Sequence, residues 1–235
     1  SKLVLISNDA YLTLVKAIST DPSNYSGFLI SISELISKDD DLNDYLSDFI
    51  SMIKVGLDSG ENDIINNSLS AAQNIINCFK EKNQEQTAFI LSELLPPIKK
   101  IAFLPEYDNV VCKMKGLCII TIVNMLFVLE MNEELLSLYF ECVDNYIEVP
   151  NDILTIYLTK SCFHLLFLIN RTPSNSEMII NNENVQKDMS QLIIKIISSI
   201  SLNEMNDETI DYYFVKFISM AIKLFGFERI NVESN

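Results

Sequence analysis

A chain of 235 residues that is 49% hydrophobic can bury a sizeable core, which excludes a disordered segment. Its 5 Gly and 6 Pro, with no Trp, leave too little turn chemistry for an all-β fold. A net charge of −15, from 32 acidic and 17 basic side chains, opposes binding to nucleic acid or anionic lipid and favours contact with a basic partner.

Taken in chain order, the apolar periodicity predicts helices throughout. Asp9–Ser19 and Tyr25–Ser37 come first, and the acidic turn Asp39-Asp40-Asp41 opens Leu42–Leu57, which Gly56 and Gly60 close. Asp63–Phe79 carries one stripe of Ile65, Leu69, Ala72, Ile76 and Phe79 at steps of 4, 3, 4 and 3. Gln84–Leu95 is expected to stop at Pro96-Pro97, with a further turn of helix from Ile98 to Phe103. Asn109–Glu130 is apolar on nearly every face and is expected in the middle of the fold. Asn132–Tyr146, Asp152–Asn170, a short Ser176–Ile180 piece, Val185–Ser201 and Asp207–Phe225 complete the chain.

Paired Asn/Asp residues mark the long helices at Asn8-Asp9, Asn62-Asp63, Asp108-Asn109, Asn151-Asp152 and Asn206-Asp207. With Asp9, Asp63, Asp108, Asp152 and Asp207 as markers, the intervals are 54, 45, 44 and 55 residues. A short Asx side chain at an N-cap accepts hydrogen bonds from the first free N–H groups of a helix. Regular caps imply repeated helical units, with a regular centre over about 62–201 and atypical flanks at 1–60 and 202–235 in one domain over 1–235.

The segments Ser68–Phe79 and Leu165–Asn170 resemble the long third helices of armadillo and HEAT repeats, with Ala71 or Ala72 as the small residue that lets helices approach. The resemblance spans about residues 40–225 at superfamily level. It implies an all-α, right-handed stack of antiparallel helices, an α-solenoid of roughly 10–12 helices. An irregular helical bundle is the alternative.

No catalytic constellation stands out. His164 is the single histidine, lies on a very apolar helix and is two positions from Cys162, so the two point to different faces. Asp39–Asp44 fails the EF-hand template, with Asp44 where Gly is required and Ile50 where Glu is required. Glu133/Glu134 and Asp207/Glu208/Asp211 sit at helix starts, where acids are favoured by the macrodipole. No phosphate-loop, dinucleotide, nucleophile-elbow or zinc pattern is present, so neither a cofactor nor a metal is expected.

Cys78, Cys112, Cys118, Cys142 and Cys162 are an odd number of thiols in apolar helices, as in a reducing cytosolic or nuclear compartment. The sequons at Asn24, Asn66 and Asn170 arise readily by chance in an Asn-rich chain. No signal peptide is visible, and the best membrane candidate, Gly116–Leu129, is shorter than the roughly 20 residues of a span. A start without Met and a polar Val-Glu-Ser-Asn end suggest a fragment of a longer protein.

The expected function is a non-catalytic scaffold that binds a protein or peptide with a basic patch on a curved helical surface. The resemblance also admits a regulator of a small GTPase or a co-chaperone. Asp108, Asn109, Asp152, Tyr157 and Asn170 are the candidate contact residues, although capping side chains are already engaged. Tyr107, Tyr139, Tyr146, Tyr157, Tyr212 and Tyr213 could offer apolar area and a hydroxyl to a partner, half-buried packing being the plainer reading. Lys99-Lys100 and Lys113/Lys115 are the densest basic spots.

Overall fold

The computed structural model describes residues 46–78, 84–128, 132–171, 183–202, 215–216, 218–219 and 221–223. The expected helices Asp9–Ser19, Tyr25–Ser37 and Ser176–Ile180, the Asp39–Asp44 turn, the Asx pairs at 8–9 and 206–207, most of Asp207–Phe225, Tyr212, Tyr213 and the Asp207/Glu208/Asp211 group lie outside these residues. The fold is all-α. Seven helices of 12 residues or more occur among the described residues: α1 Leu46–Leu57, α2 Asn62–Cys78, α3 Gln84–Ala102, α4 Asn109–Val128, α5 Glu133–Tyr146, α6 Asp152–Arg171 and α7 Glu183–Leu202. The chain forms two compact units, Ser1–Lys100 and Ile101–Asn235.

In the first unit, α1 and α2 make an antiparallel pair. Gly60, with φ of 76°, takes the left-handed conformation that lets four residues reverse the chain. Gly56 allows close approach, since a Cβ there would stand 2.0 Å from the Ser68 hydroxyl. The expected stripe of α2 is buried at Ile65, Leu69, Ala72 and Ile76. Lys54 pairs with Glu93 and Lys100 with Asp58, so α1 and α3 run side by side in one direction, at chain separations of 39 and 42.

Helix α3 does not end at Pro96-Pro97 as expected. An interior proline costs about 3 kcal/mol through its missing N–H and its clash with the preceding turn. Burial beyond the prolines of Ile98 and Ile101, at roughly 1.5–3 kcal/mol each, offsets that cost, and Pro97 is itself buried.

The second unit is ordered by α4 and α6. Asn151 Nδ2 donates to Asn109 Oδ1 at 3.0 Å, joining the two helix starts. Further along, a Cβ on Gly116 would meet Tyr157 Cγ at 2.3 Å. The two helices therefore run alongside each other in the same direction.

Helix α5 returns antiparallel across their inner side. The Tyr146 ring at its end lies 5.5 Å from Lys115 Nζ near the α4 start, and Tyr139 Oη lies 3.2 Å from Ser161 Oγ on α6. Helix α7 then packs against α6 and reaches α5 through its side chains. Lys195 sits 3.7 Å from Asp144 and 3.9 Å from Glu148, and Phe140, Val143, Gln191 and Leu192 line the same cleft. Alternate helices in each unit are thus paired in the same direction.

The caps are fewer than the Asx pairs imply. Asp108 Oδ1 accepts from Val110 N and Val111 N, and Asn151 Oδ1 accepts from Leu154 N. In both pairs the first residue caps and the second opens the helix. Asn132, outside the marked pairs, caps α5 through Leu135 N. Asn62-Asp63 does not repeat this arrangement. Ile65 N bonds to the Glu61 carbonyl, so α2 already contains Asn62, and Ser59 Oγ accepts from Glu61 N.

Candidate interaction surface

Helices α4 and α6 bury one side and show the other. On α4, Val111, Cys112, Lys115, Cys118, Ile119, Ile122 and Leu126 are buried. Val110, Lys113, Leu117, Ile120, Asn124 and Phe127, at steps of 3, 4, 3, 4 and 3, are exposed or half-buried. On α6, Leu154, Leu158, Cys162, Leu165 and Ile169 are buried, while Ile153, Ile156, Tyr157, Lys160, Phe163, His164 and Phe167 face outward to differing degrees.

The Gly116–Tyr157 contact lies at the edge of both outer stripes, so they join into one apolar face opposite α5. Val110 is 43% exposed and Phe167 45% exposed. Phe163 stacks at a tilt against His164 at 5.8 Å and Phe167 at 6.5 Å. Burial, with the Lys160 charge beside it, lowers the His164 pKa and keeps the ring neutral at physiological pH.

These helices are apolar on nearly every face, as the sequence indicates, yet only part of that surface lies inside. By length and composition alone, Asn109–Val128 and Asp152–Asn170 could each cross a membrane, and α4 is longer than the Gly116–Leu129 candidate. In the fold, 61% and 56% of the 18-residue apolar windows within these stretches are buried within the protein.

The candidate contact residues fall into two places. Asp108, Asn109 and Asp152 gather where α4 and α6 begin, and Tyr157 follows little more than a turn along α6. Asn170 stands at the other end of α6, about 27 Å from Asp152 at 1.5 Å per residue. Asp108 is occupied as a cap and Asn109 by Asn151, which leaves Asp152 as the exposed carboxylate of the group. The half-buried Tyr157 ring packs on Gly116.

Two of the tyrosines that could have offered a surface to a partner are core residues, packed more fully than the half-buried reading expects. Tyr139 and Tyr146 are fully buried, and their hydroxyls bond inside the fold, to Ser161 Oγ and the Ala102 carbonyl. They continue the apolar stripe Leu135, Tyr139, Cys142, Tyr146 at steps of 4, 3 and 4, so the signal was in the periodicity. Tyr107 is 39% exposed, and its hydroxyl donates to the Asn145 carbonyl.

Lys115 is likewise not a surface charge. It is fully buried, donates to the Leu104 carbonyl, and lies 3.5 Å from the centre of the Tyr107 ring that covers it. Desolvation lowers its pKa, opposed by smaller effects of Cys112 and Glu106. The carbonyl it binds lies two residues past the end of α3.

The acids lie elsewhere. Glu134, Ser137, Glu141 and Asp144 form the exposed stripe of α5, with Glu148 just past its end, and the carboxylates that border α4 and α6 are mainly Asp108 and Asp152.

The described cysteines are buried free thiols: Cys112, Cys118, Cys142 and Cys162. Burial raises the pKa of Cys112, Cys118 and Cys162, so none is poised as a thiolate. Among the described residues no three His, Cys, Asp or Glu side chains come together as a metal site. Asn66, one of the sequons, lies within α2 with its Oδ1 enclosed. Comparison of the chain with protein-family models, with curated proteins and with solved structures finds no match.

Proposed function

We propose that this chain is a non-catalytic interaction module, a stacked-helix scaffold of the armadillo/HEAT kind, that docks a partner protein or peptide on the outer face of α4 and α6. The observation that carries the reading is the continuous apolar face these two helices expose, from Val110 to Phe167. Apolar area left in contact with water is an unspent source of binding free energy, at roughly 25 cal/mol per Å² covered. Parallel pairing of alternate helices, at separations of 39 and 42 residues for α1/α3 and 42 for α4/α6, supports the stacked arrangement. The buried free thiols favour a reducing compartment.

The test is capture of partners from the source cell by the wild-type chain and by Val110→Asp and Phe167→Asp, both at exposed positions. A partner lost with either variant, at unchanged thermal stability, supports the reading. Equal capture by all three chains removes it.

A further inference from the structure

We infer that the α3–α4 connection, Phe103–Asp108, is a strap that closes over Lys115 and opens as a unit while the helices stay packed. The groups involved all belong to the second compact unit, and the inference stands apart from the docking role proposed above.

Little apolar burial holds the strap down. Phe103 and Leu104 are half-buried, and Pro105, Glu106, Tyr107 and Asp108 are exposed. Segments with few buried apolar contacts belong to the low end of local stability. The fastenings are polar instead, and they come from beneath. Lys115 Nζ donates to the Leu104 carbonyl and lies 3.5 Å from the centre of the Tyr107 ring. Cys112 Sγ donates to the Tyr107 carbonyl at 3.4 Å. Tyr107 Oη donates to the Asn145 carbonyl at 3.4 Å, a long bond for a hydroxyl.

Lys115 gives the strap its second state. The side chain is fully buried, yet its cover is one ring thick, because Tyr107 is itself 39% exposed. A lysine can keep its methylenes against the fold while its ammonium reaches water. With the strap shut, the ammonium has a carbonyl and a ring face in place of its hydration shell. A desolvated cation–π contact and a hydrogen bond from a charged donor are together of the same order as the cost of desolvating an ion. The opposing terms nearly cancel, so the open state lies within reach of the closed one. Asp108, the last strap residue, caps α4, and opening therefore acts on the first turn of that helix.

The test is a time course of amine acetylation on the full chain by an N-hydroxysuccinimide ester, read by peptide mapping. Lys113, exposed two residues away on the same helix, is the reference for a free amine. Maleimide labelling of the buried Cys118, Cys142 and Cys162 under the same conditions reads global opening. In the wild-type chain Lys115 is expected to react about 100-fold more slowly than Lys113 but well before the three thiols. Tyr107→Ala should speed Lys115 by about 10-fold or more with the thiols still protected. Tyr107→Phe keeps the ring, loses only the bond to Asn145, and should speed Lys115 by less than about 3-fold. Acetylation of Lys115 only together with thiol labelling overturns the inference, as does an unchanged rate in Tyr107→Ala. A wild-type Lys115 as fast as Lys113 overturns it too, since the strap would then not be closed.

Discussion

Asn151 and Asn109 hydrogen-bond to each other at 3.0 Å across the starts of two parallel helices, while Asn151 Oδ1 caps its own helix through Leu154 N. One side chain thus fixes where α6 begins and which neighbour it begins beside. Asn151→Ala removes both bonds and is expected to cost about 1–2 kcal/mol, whereas Asn151→Asp keeps the cap and loses only the donor, costing less than about 1 kcal/mol. Urea midpoints of the two variants check the ranking, and an equal loss would show that the inter-helix bond governs the site.

Gly116 sets the spacing of the same pair. A methyl group there would meet the root of the Tyr157 ring, at 2.3 Å from Cγ and 2.7 Å from Cβ, so rotation of the side chain's far end gives no relief. Ala improves helix propensity by up to about 1 kcal/mol, but overpacking costs about 1–3 kcal/mol. A net loss of roughly 1–2 kcal/mol is expected for Gly116→Ala. The double variant with Tyr157→Ala should recover part of it in a thermal double-mutant cycle. Additive losses would argue against contact at this point.

Lys115 should make stability depend on pH in a recognisable sense. Its folded-state pKa is lowered, so the folded chain releases this proton more readily than the unfolded chain. The group is therefore unfavourable below its folded pKa, and the penalty is relieved as pH rises towards the ordinary lysine value of 10.5. Relative to Lys115→Met, the wild-type chain should gain stability from pH 7 to pH 10, with the variant as the control for tyrosine and cysteine titration. At pH 7 Lys115→Met is expected within about 1 kcal/mol of wild type, because an apolar side chain of similar size removes the buried charge along with its bond. Lys115→Ala should lose about 2–4 kcal/mol by leaving a cavity. A flat difference between wild type and Lys115→Met across this range would contradict the account.

Cys112, Cys118, Cys142 and Cys162 are buried, and burial raises the pKa of three of them, Cys112, Cys118 and Cys162. An aromatic disulfide reagent at pH 8 should leave all four unmodified in the folded chain and label them in urea. Peptide mapping of the labelled protein reads this directly. Labelling of Cys162 in the native state would show that α6 opens on the time scale of the reaction.

Helical class was legible because periodicity records burial. The stripe Ile65, Leu69, Ala72, Ile76 predicts the buried side of α2, and the first residue of two Asx pairs caps its helix. Continuation through Pro96-Pro97 was not legible, since a local rule about proline was outweighed by burial beyond it at Ile98 and Ile101. The burial of Lys115 was marked only by its place in the stripe Val111, Lys115, Cys118, Ile122, since its residue type points the other way. The outer face of α4 and α6 was hidden for a different reason. Where every face is apolar, periodicity cannot say which one meets solvent, and only the packing of neighbouring helices, α5 and α7 among them, does so.

The most direct test of the docking face is site-specific photocrosslinking in the source cell, with a photoreactive residue placed at Phe167 on the apolar face or at Glu141 on the acidic stripe of α5. A defined protein adduct from position 167, absent from position 141 and lost with Val110→Asp, is the predicted result. An adduct from position 141 with none from position 167 would contradict the account.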